Sequence, residues 1–245
     1  MDISKYIDYT LLKPTTTEGE IIELCDKAKE NGFYSVCISS CYVALAKQLL
    51  EDSKVKVCTV VGFPLGSMST EAKVFEAEKA IEDGADEIDM VINLGYLKSR
   101  NHVSVLKDIS DVKLAIGKTP LKVILEISEL NKNEIIKACE ICLDARTDFI
   151  KTSTGFSKNG ATLTAVKIIK KTVRGRARIK ASGGIIDLDT ALKYIDAGAE
   201  RIGTSVPMKS KKNSRQIRNT KIYKDYIETV LNTKSSNTKE VEKNT

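Results

Sequence analysis

Residues 148–181 read DFIKTSTGFSKNGATLTAVKIIKKTVRGRARIKA. DFIKT is a short apolar run, TLTAVKIIKKTV repeats its apolar residues at helical spacing, and ARIKA is again short and β-rich. Turns containing glycine and small hydroxyl residues separate the three pieces. A strand, a helix and a second strand in that order make a unit whose strands run parallel with a right-handed crossover.

The same unit repeats outward in both directions. Strand candidates occur at IDYTLL (7–12), YSVCI (34–38), KVCTVVGF (56–63), DEIDMVI (86–92), LKVILEI (121–127), DFIKT (148–152), ARIKA (177–181) and ERIGT (200–204). Each is followed by a helix-period segment, the last of them near 221–231. Eight such units in 245 residues predict an α/β fold, a single-domain (β/α)8 TIM barrel over residues 1–232. An open dinucleotide-binding sheet is the competing architecture, but no GxGxxG follows the first strand. Residues 233–245 are polar and basic and are expected to be a disordered tail.

The formal net charge of +6 lies in the final segment, because residues 209–245 carry ten Lys/Arg and four Asp/Glu. The first 208 residues hold 29 of each sign and are neutral. The basic stretch has no interleaved aromatic before Tyr223, so it reads as a solvated linker and nucleic acid is not expected as a partner. No run of 18 apolar residues occurs, and MDISKYIDYT lacks a basic-then-apolar leader. A soluble, cytoplasmic protein with no membrane partner is expected.

Six cysteines, at 25, 37, 41, 58, 139 and 142, are expected as reduced thiols in that setting. Cys139 and Cys142 form a CxxC inside a helical pattern and read as small apolar helix residues. The single histidine, His102, leaves little for a zinc site or a Ser-His-Asp system, so no metal is expected. Acid–base work falls to Lys, Asp, Glu, Cys or Tyr.

In a (β/α)8 barrel, chemistry gathers at the C-terminal ends of the strands. Asp89, Glu126, Lys151 and Lys180 fall near those ends. Lys151 and Lys180 are 29 residues apart, one βα unit, and so occupy equivalent places on adjacent strands. Period-2 alternation sets each lysine on the face opposite its neighbours Ile150, Ile179 and Ala181. A free lysine amine is neutral in only roughly one molecule in 2,500 at pH 7. A neighbouring cation and burial together can raise that fraction enough for attack on a carbonyl. The other reading sets the two lysines in separate solvated rims, each beside a carboxylate.

Gly183 and Gly184 precede Asp187, a candidate helix cap, and Gly203, Thr204 and Ser205 end the eighth strand. Loops after strands seven and eight are where barrels commonly hold phosphate. Asp89 suits either an acid–base role or an ion pair with Lys180. Lys122 and Glu126 share a face if the fifth strand runs to its end, and are expected to pair. Cys37, at the end of the second strand, reads as core filler.

The pieces IDYTLLKP, VVGFPLGSMSTEAKVFEAE, GADEIDMVIN, KVILEIS, FIKTSTGF, GAT, IKASGGI and RIGTS, in this order across residues 6–206, resemble the deoxyribose-phosphate aldolases. That family's class I aldolases are (β/α)8 barrels. The resemblance implies reversible cleavage of 2-deoxy-D-ribose 5-phosphate to D-glyceraldehyde 3-phosphate and acetaldehyde, through a lysine Schiff base and without cofactor or metal. It implies Lys151 as the Schiff-base lysine, Lys180 as the second lysine, and Asp89 as the proton relay. Cys37 falls at the family's substrate-site cysteine. Thr154, Gly155, Gly183, Gly184 and Ser205 fall at its phosphate contacts.

Three departures accompany the resemblance. Val206 stands where the family usually carries a second serine, SSCYV replaces an Asn-Pro-like pair after the second strand, and the chain does not end in tyrosine. A phosphosugar-binding barrel of weak catalytic power is therefore the alternative. The outer helices of such a barrel can also hold a homodimer interface.

Overall fold

The computed structural model describes residues 1–208. The expected helix near 221–231 and the tail at 233–245 lie outside them. Strands β1 (Ile7–Leu11), β2 (Ser35–Ile38), β3 (Lys56–Val61), β4 (Glu87–Val91), β5 (Leu121–Ile124), β6 (Phe149–Lys151), β7 (Arg178–Ser182) and β8 (Arg201–Thr204) form a closed parallel barrel in chain order. Closure is made by β1 against β8, with Ile7 opposite Ile202 and Asp8 opposite Gly203.

Helices α1 (Glu18–Asn31), α2 (Val43–Leu49), α3 (Thr70–Glu82), α4 (Leu94–Lys98), α5 (His102–Ala115), α6 (Lys132–Asp144), α7 (Leu163–Val173) and α8 (Leu188–Ala197) connect the strands. The β4–β5 connection uses two of them. Side chains cap most of these helices. Thr17 with Glu20 and Asn131 with Glu134 form reciprocal capping boxes at α1 and α6. Asp187 accepts from the Thr190 amide at α8, as the sequence predicts. No helix among the described residues is long and apolar enough to cross a membrane.

Period-2 alternation divides every strand between two environments. Ile7, Tyr9, Val36, Val57, Ile88, Met90, Val123, Ile150, Ile179 and Ile202 belong to the main core between the barrel and its helices. Each such burial contributes about 1.5–3 kcal/mol, so the outer wall carries the fold. The other parity brings Asp8, Glu87, Asp89, Lys122, Lys151, Lys180 and Arg201 together inside the barrel, all buried. The interior also holds Phe149, beneath Lys122 and Arg201, and a small separate apolar cluster of Leu12, Cys37, Cys58 and Val60.

The helix residues Cys139 and Cys142 are buried in α6 as free thiols, in agreement with their reading as helix packing.

Candidate active site

Register places Lys151 directly opposite Lys180, and Ile150 opposite Ile179. Both amines therefore enter the barrel from adjacent strands at one level. They meet on one oxygen: Lys151 Nζ and Lys180 Nζ each lie 2.8 Å from Asp89 Oδ2. The other oxygen, Oδ1, accepts from Lys122 Nζ at 2.7 Å and from the Cys58 thiol at 3.1 Å. A reading in separate solvated rims is thereby ruled out.

A deeper layer holds the cations that Asp89 shares. Lys180 Nζ lies 2.5 Å from Asp8 Oδ2, and Lys122 Nζ lies 2.7 Å from Glu87 Oε2. Arg201 Nη1 reaches Asp8 Oδ1 at 2.8 Å and Glu87 Oε2 at 3.2 Å. Its guanidinium also stacks 3.5 Å above the Tyr34 ring. Ser35 Oγ donates to Asp8 Oδ1 at 2.6 Å.

Burial penalises each of these charges, and the partners outweigh it. Burial opposes the charge on Asp89, but Lys122, Lys151 and Lys180 hold its carboxyl well below the usual range. Burial likewise opposes Asp8, which Lys180 and Arg201 hold below its ordinary value. The Lys180 ammonium, disfavoured by burial, is kept well above the ordinary lysine value by Asp8 and Asp89. Lys122 is pushed the same way, chiefly by Asp89 against burial.

Cys37 and Cys58 face one another across β2 and β3 in register. A hydrogen bond from Cys58 lowers the Cys37 thiol to about 7, against the effect of burial. Burial first, and then Cys37, pushes Cys58 well above the ordinary thiol range. Cys37 Sγ is 4.0 Å from Asp89 Oδ2, so it belongs to the site as well as to the packing. Cys37, Cys58 and Asp89 could offer three ligand atoms to a metal. Lys122, Lys151 and Lys180 already occupy that carboxylate, and their charge opposes a divalent cation.

Above Lys151 opens a cavity of about 300 Å³. It is lined by Thr10 and Lys13 from the end of β1, by Lys151 and Thr154–Phe156 beyond β6, and by the 182–186 and 203–205 loops. Gly155, Gly183, Gly184 and Ser205 all border it. Gly183 has φ +90°, and a Cβ there would meet Gly160 Cα at 2.8 Å, so this turn requires glycine. Gly184 has φ +75° with no atom within 4 Å of a Cβ position, leaving open space on the cavity side.

Thr154 borders the cavity too, but both its donors point away from it. Its amide and hydroxyl donate to Glu126 Oε2, the amide at 3.2 Å. The expected Lys122–Glu126 pair is accordingly not formed. Strand β5 ends at Ile124, and Glu126 adopts a left-handed φ of 55°, which breaks the alternation that put the two residues on one face. Val206 does not line the cavity, and its amide donates to Thr204 Oγ1 at 3.1 Å.

Sequence reasoning did not single out Asp8, Glu87, Arg201, Cys58, Thr10 or Lys13. The available signal was parity. Asp8, Glu87 and Arg201 are charges at strand positions flanked by outward-facing isoleucines, at Ile7, Ile88 and Ile202.

A closed (β/α)8 barrel whose charged interior opens on a cavity at the strand ends has the architecture of the barrel enzymes. Residues 4–206 match the family model of the DeoC/LacD aldolases. The chain belongs to that family. It is 53% identical over 209 residues to the deoxyribose-phosphate aldolase of Finegoldia magna, covering 85% of this chain and 98% of the relative. A solved aldolase structure superposes with a TM-score of 0.82 at 48% identity, covering 84% of this chain and 93% of the other. The tetrameric deoxyribose phosphate aldolase of Aeropyrum pernix superposes with a TM-score of 0.78 at 34% identity, over 84% and 87% of the two chains.

Proposed function

We propose that this chain is a class I aldolase that reversibly cleaves 2-deoxy-D-ribose 5-phosphate into D-glyceraldehyde 3-phosphate and acetaldehyde, with Lys151 as the Schiff-base residue. One observation carries the reading: Lys151 is the buried amine at the cavity, and among the described residues its one carboxylate partner is an oxygen shared with Lys180. Lys180, Lys122 and Arg201 each contact two carboxylates. With all charges present, Lys122, Lys151, Lys180 and Arg201 outnumber Asp8, Glu87 and Asp89 by one. Of these four cations Lys151 has the fewest carboxylate contacts, which supports it as the amine that reaches the substrate.

The neutral amine attacks the substrate aldehyde, and loss of water leaves a protonated imine. Removal of the C3 hydroxyl proton lets the C3–C4 bond break, and its electron pair passes into the imine to give an enamine. Glyceraldehyde 3-phosphate leaves, the enamine takes a proton at carbon, and hydrolysis frees acetaldehyde and Lys151. Asp89 and Lys180 relay these protons through water. Lys122, Lys180 and the cationic imine on Lys151 make Asp89 a weak base, so it passes the proton on rather than retaining it. Gly155, Gly183, Gly184 and Ser205 receive the phosphate, and Thr154 supports that end of the cavity. The place of Val206 outside the cavity lining removes the motive for a merely sugar-binding barrel.

Borohydride reduction in the presence of 2-deoxyribose 5-phosphate, followed by peptide mapping, tests the assignment. The adduct is expected on Lys151, and Lys151→Ala is expected to abolish turnover with the fold intact. An adduct elsewhere, or near-full cleavage by the variant, overturns it.

We also propose self-association through the outer helices, on the strength of Phe75, Val103 and Leu114, which are exposed on α3 and α5. A monomeric mass by light scattering would reject it.

A further inference from the structure

Glu126 stands apart from the charged interior. It is 4% exposed, and among the described residues no cation lies within ion-pair distance of its carboxylate. Its backbone adopts φ 55° and ψ 64°, a conformation that disfavours any residue with a Cβ. The chain places a buried, unneutralised acid at a corner suited to glycine. What that side chain holds must offset both costs.

The carboxylate holds the loop that follows Lys151. Oε2 accepts from the Thr154 amide and from the Thr154 hydroxyl. The Thr154 hydroxyl oxygen in turn accepts from the Phe156 amide at 3.0 Å. The backbone on either side of Glu126 is tied to the same segment, because the Leu125 amide donates to Lys151 O and the Ile127 amide to Thr152 O, each at 3.0 Å. Thr154, Gly155 and Phe156 form one wall of the cavity above Lys151. The second oxygen, Oε1, is buried with no hydrogen-bond partner, so every contact of the carboxylate among the described residues serves this loop.

We infer that Glu126 is a positioning residue of the aldolase site: its carboxylate fixes the Thr154–Phe156 loop as the substrate-facing wall beside Lys151. The inference rests on the Schiff-base reading above, with Glu126 acting on the sugar phosphate through the loop and not on the amine.

Three variants test it: Glu126→Gln, Glu126→Gly and Thr154→Val. The glutamine oxygen accepts the same two donors, and Glu126→Gln is expected to stay within about threefold of wild-type kcat/KM. Glycine suits the corner but holds nothing, so Glu126→Gly is expected to keep the melting temperature. It should raise KM for 2-deoxyribose 5-phosphate about tenfold, with kcat/KM down about ten- to a hundredfold. Trapping of acetaldehyde on Lys151 by borohydride is expected to stay within about twofold of wild type, because Asp89 and the β6 ladder hold that amine. Thr154→Val is expected to raise KM in the same direction, and the double variant with Glu126→Gly to be no worse than Glu126→Gly alone.

Wild-type KM in Glu126→Gly would show that only the corner matters and would overturn the inference. So would additive losses in the double variant, or loss of acetaldehyde trapping in Glu126→Gly. Failure of the wild-type enzyme to trap any adduct would instead remove the Schiff-base reading itself.

Discussion

The two faces of the barrel wall are built from the same eight strands and obey opposite rules. Outward, Ile7, Val36, Ile88, Val123, Ile150, Ile179 and Ile202 fill one continuous core with the helices. Inward, three carboxylates and four cations take positions that a barrel normally fills with branched apolar side chains. Substituting hydrophobic residues for such ions is often neutral or favourable to stability. The inner face is therefore explained by chemistry and the outer face by folding. One residue step along a strand separates the two functions.

Several outcomes would break or sharpen that contrast, beginning with the largest. Lys180→Met leaves Asp8 and Asp89 short of a counter-ion in the dry interior. We expect turnover to fall by about 10²–10⁴ and stability by about 3–5 kcal/mol. Loss of activity with an unchanged urea midpoint would show that the inner network is not electrostatically strained by the deletion. On the other face, Ile179→Ala should cost about 2–5 kcal/mol, while kcat at a temperature where the variant is folded stays near wild type. A collapse of kcat in that variant would deny the separation of roles.

The pH dependence of stability is expected to divide in the same way. Asp8 and Asp89 have folded values below their unfolded ones, so their contribution is present above about pH 4 and is lost as the medium becomes more acid. Lys122 and Lys180 have raised folded values, so theirs is complete below about pH 10 and is lost only as pH rises beyond it. Chemical denaturation should show a plateau from above about pH 4 up to the Cys37 titration near 7, and a slope within it would contradict the pairing described. The smallest effect concerns the thiols. Absorbance at 240 nm should show one thiolate appearing near pH 7 in the native protein and disappearing in Cys37→Ser, but persisting in Cys139→Ser.

Much of this contrast is legible in the amino-acid order, because parity is a local property. The alternation of DFIK and RIKA already puts Lys151 and Lys180 together, and the register of β6 on β7 does so without offset. Glu126 was picked out but given the wrong partner, because its own left-handed backbone interrupts the alternation and no neighbouring glycine announces it. Asp8 and Arg201 escaped for another reason. They are 193 positions apart, and only the pairing of the first strand with the last brings them to 2.8 Å. The resemblance implied Thr154 as a phosphate contact, whereas its donors are committed to a side chain from the neighbouring strand end.

The joint between β1 and β8 has a consequence for biosynthesis. Asp8 is made 193 positions before its guanidinium partner, so a nascent polypeptide cannot assemble the ionic lattice around Lys180 until all eight strands of the ring have been started. Fragments halted before Arg201 should yield no borohydride-stable adduct with acetaldehyde, and one that did would show the lattice to be dispensable. On this view the unfinished chain lacks the ionic cage that the completed ring sets around the amine of Lys151.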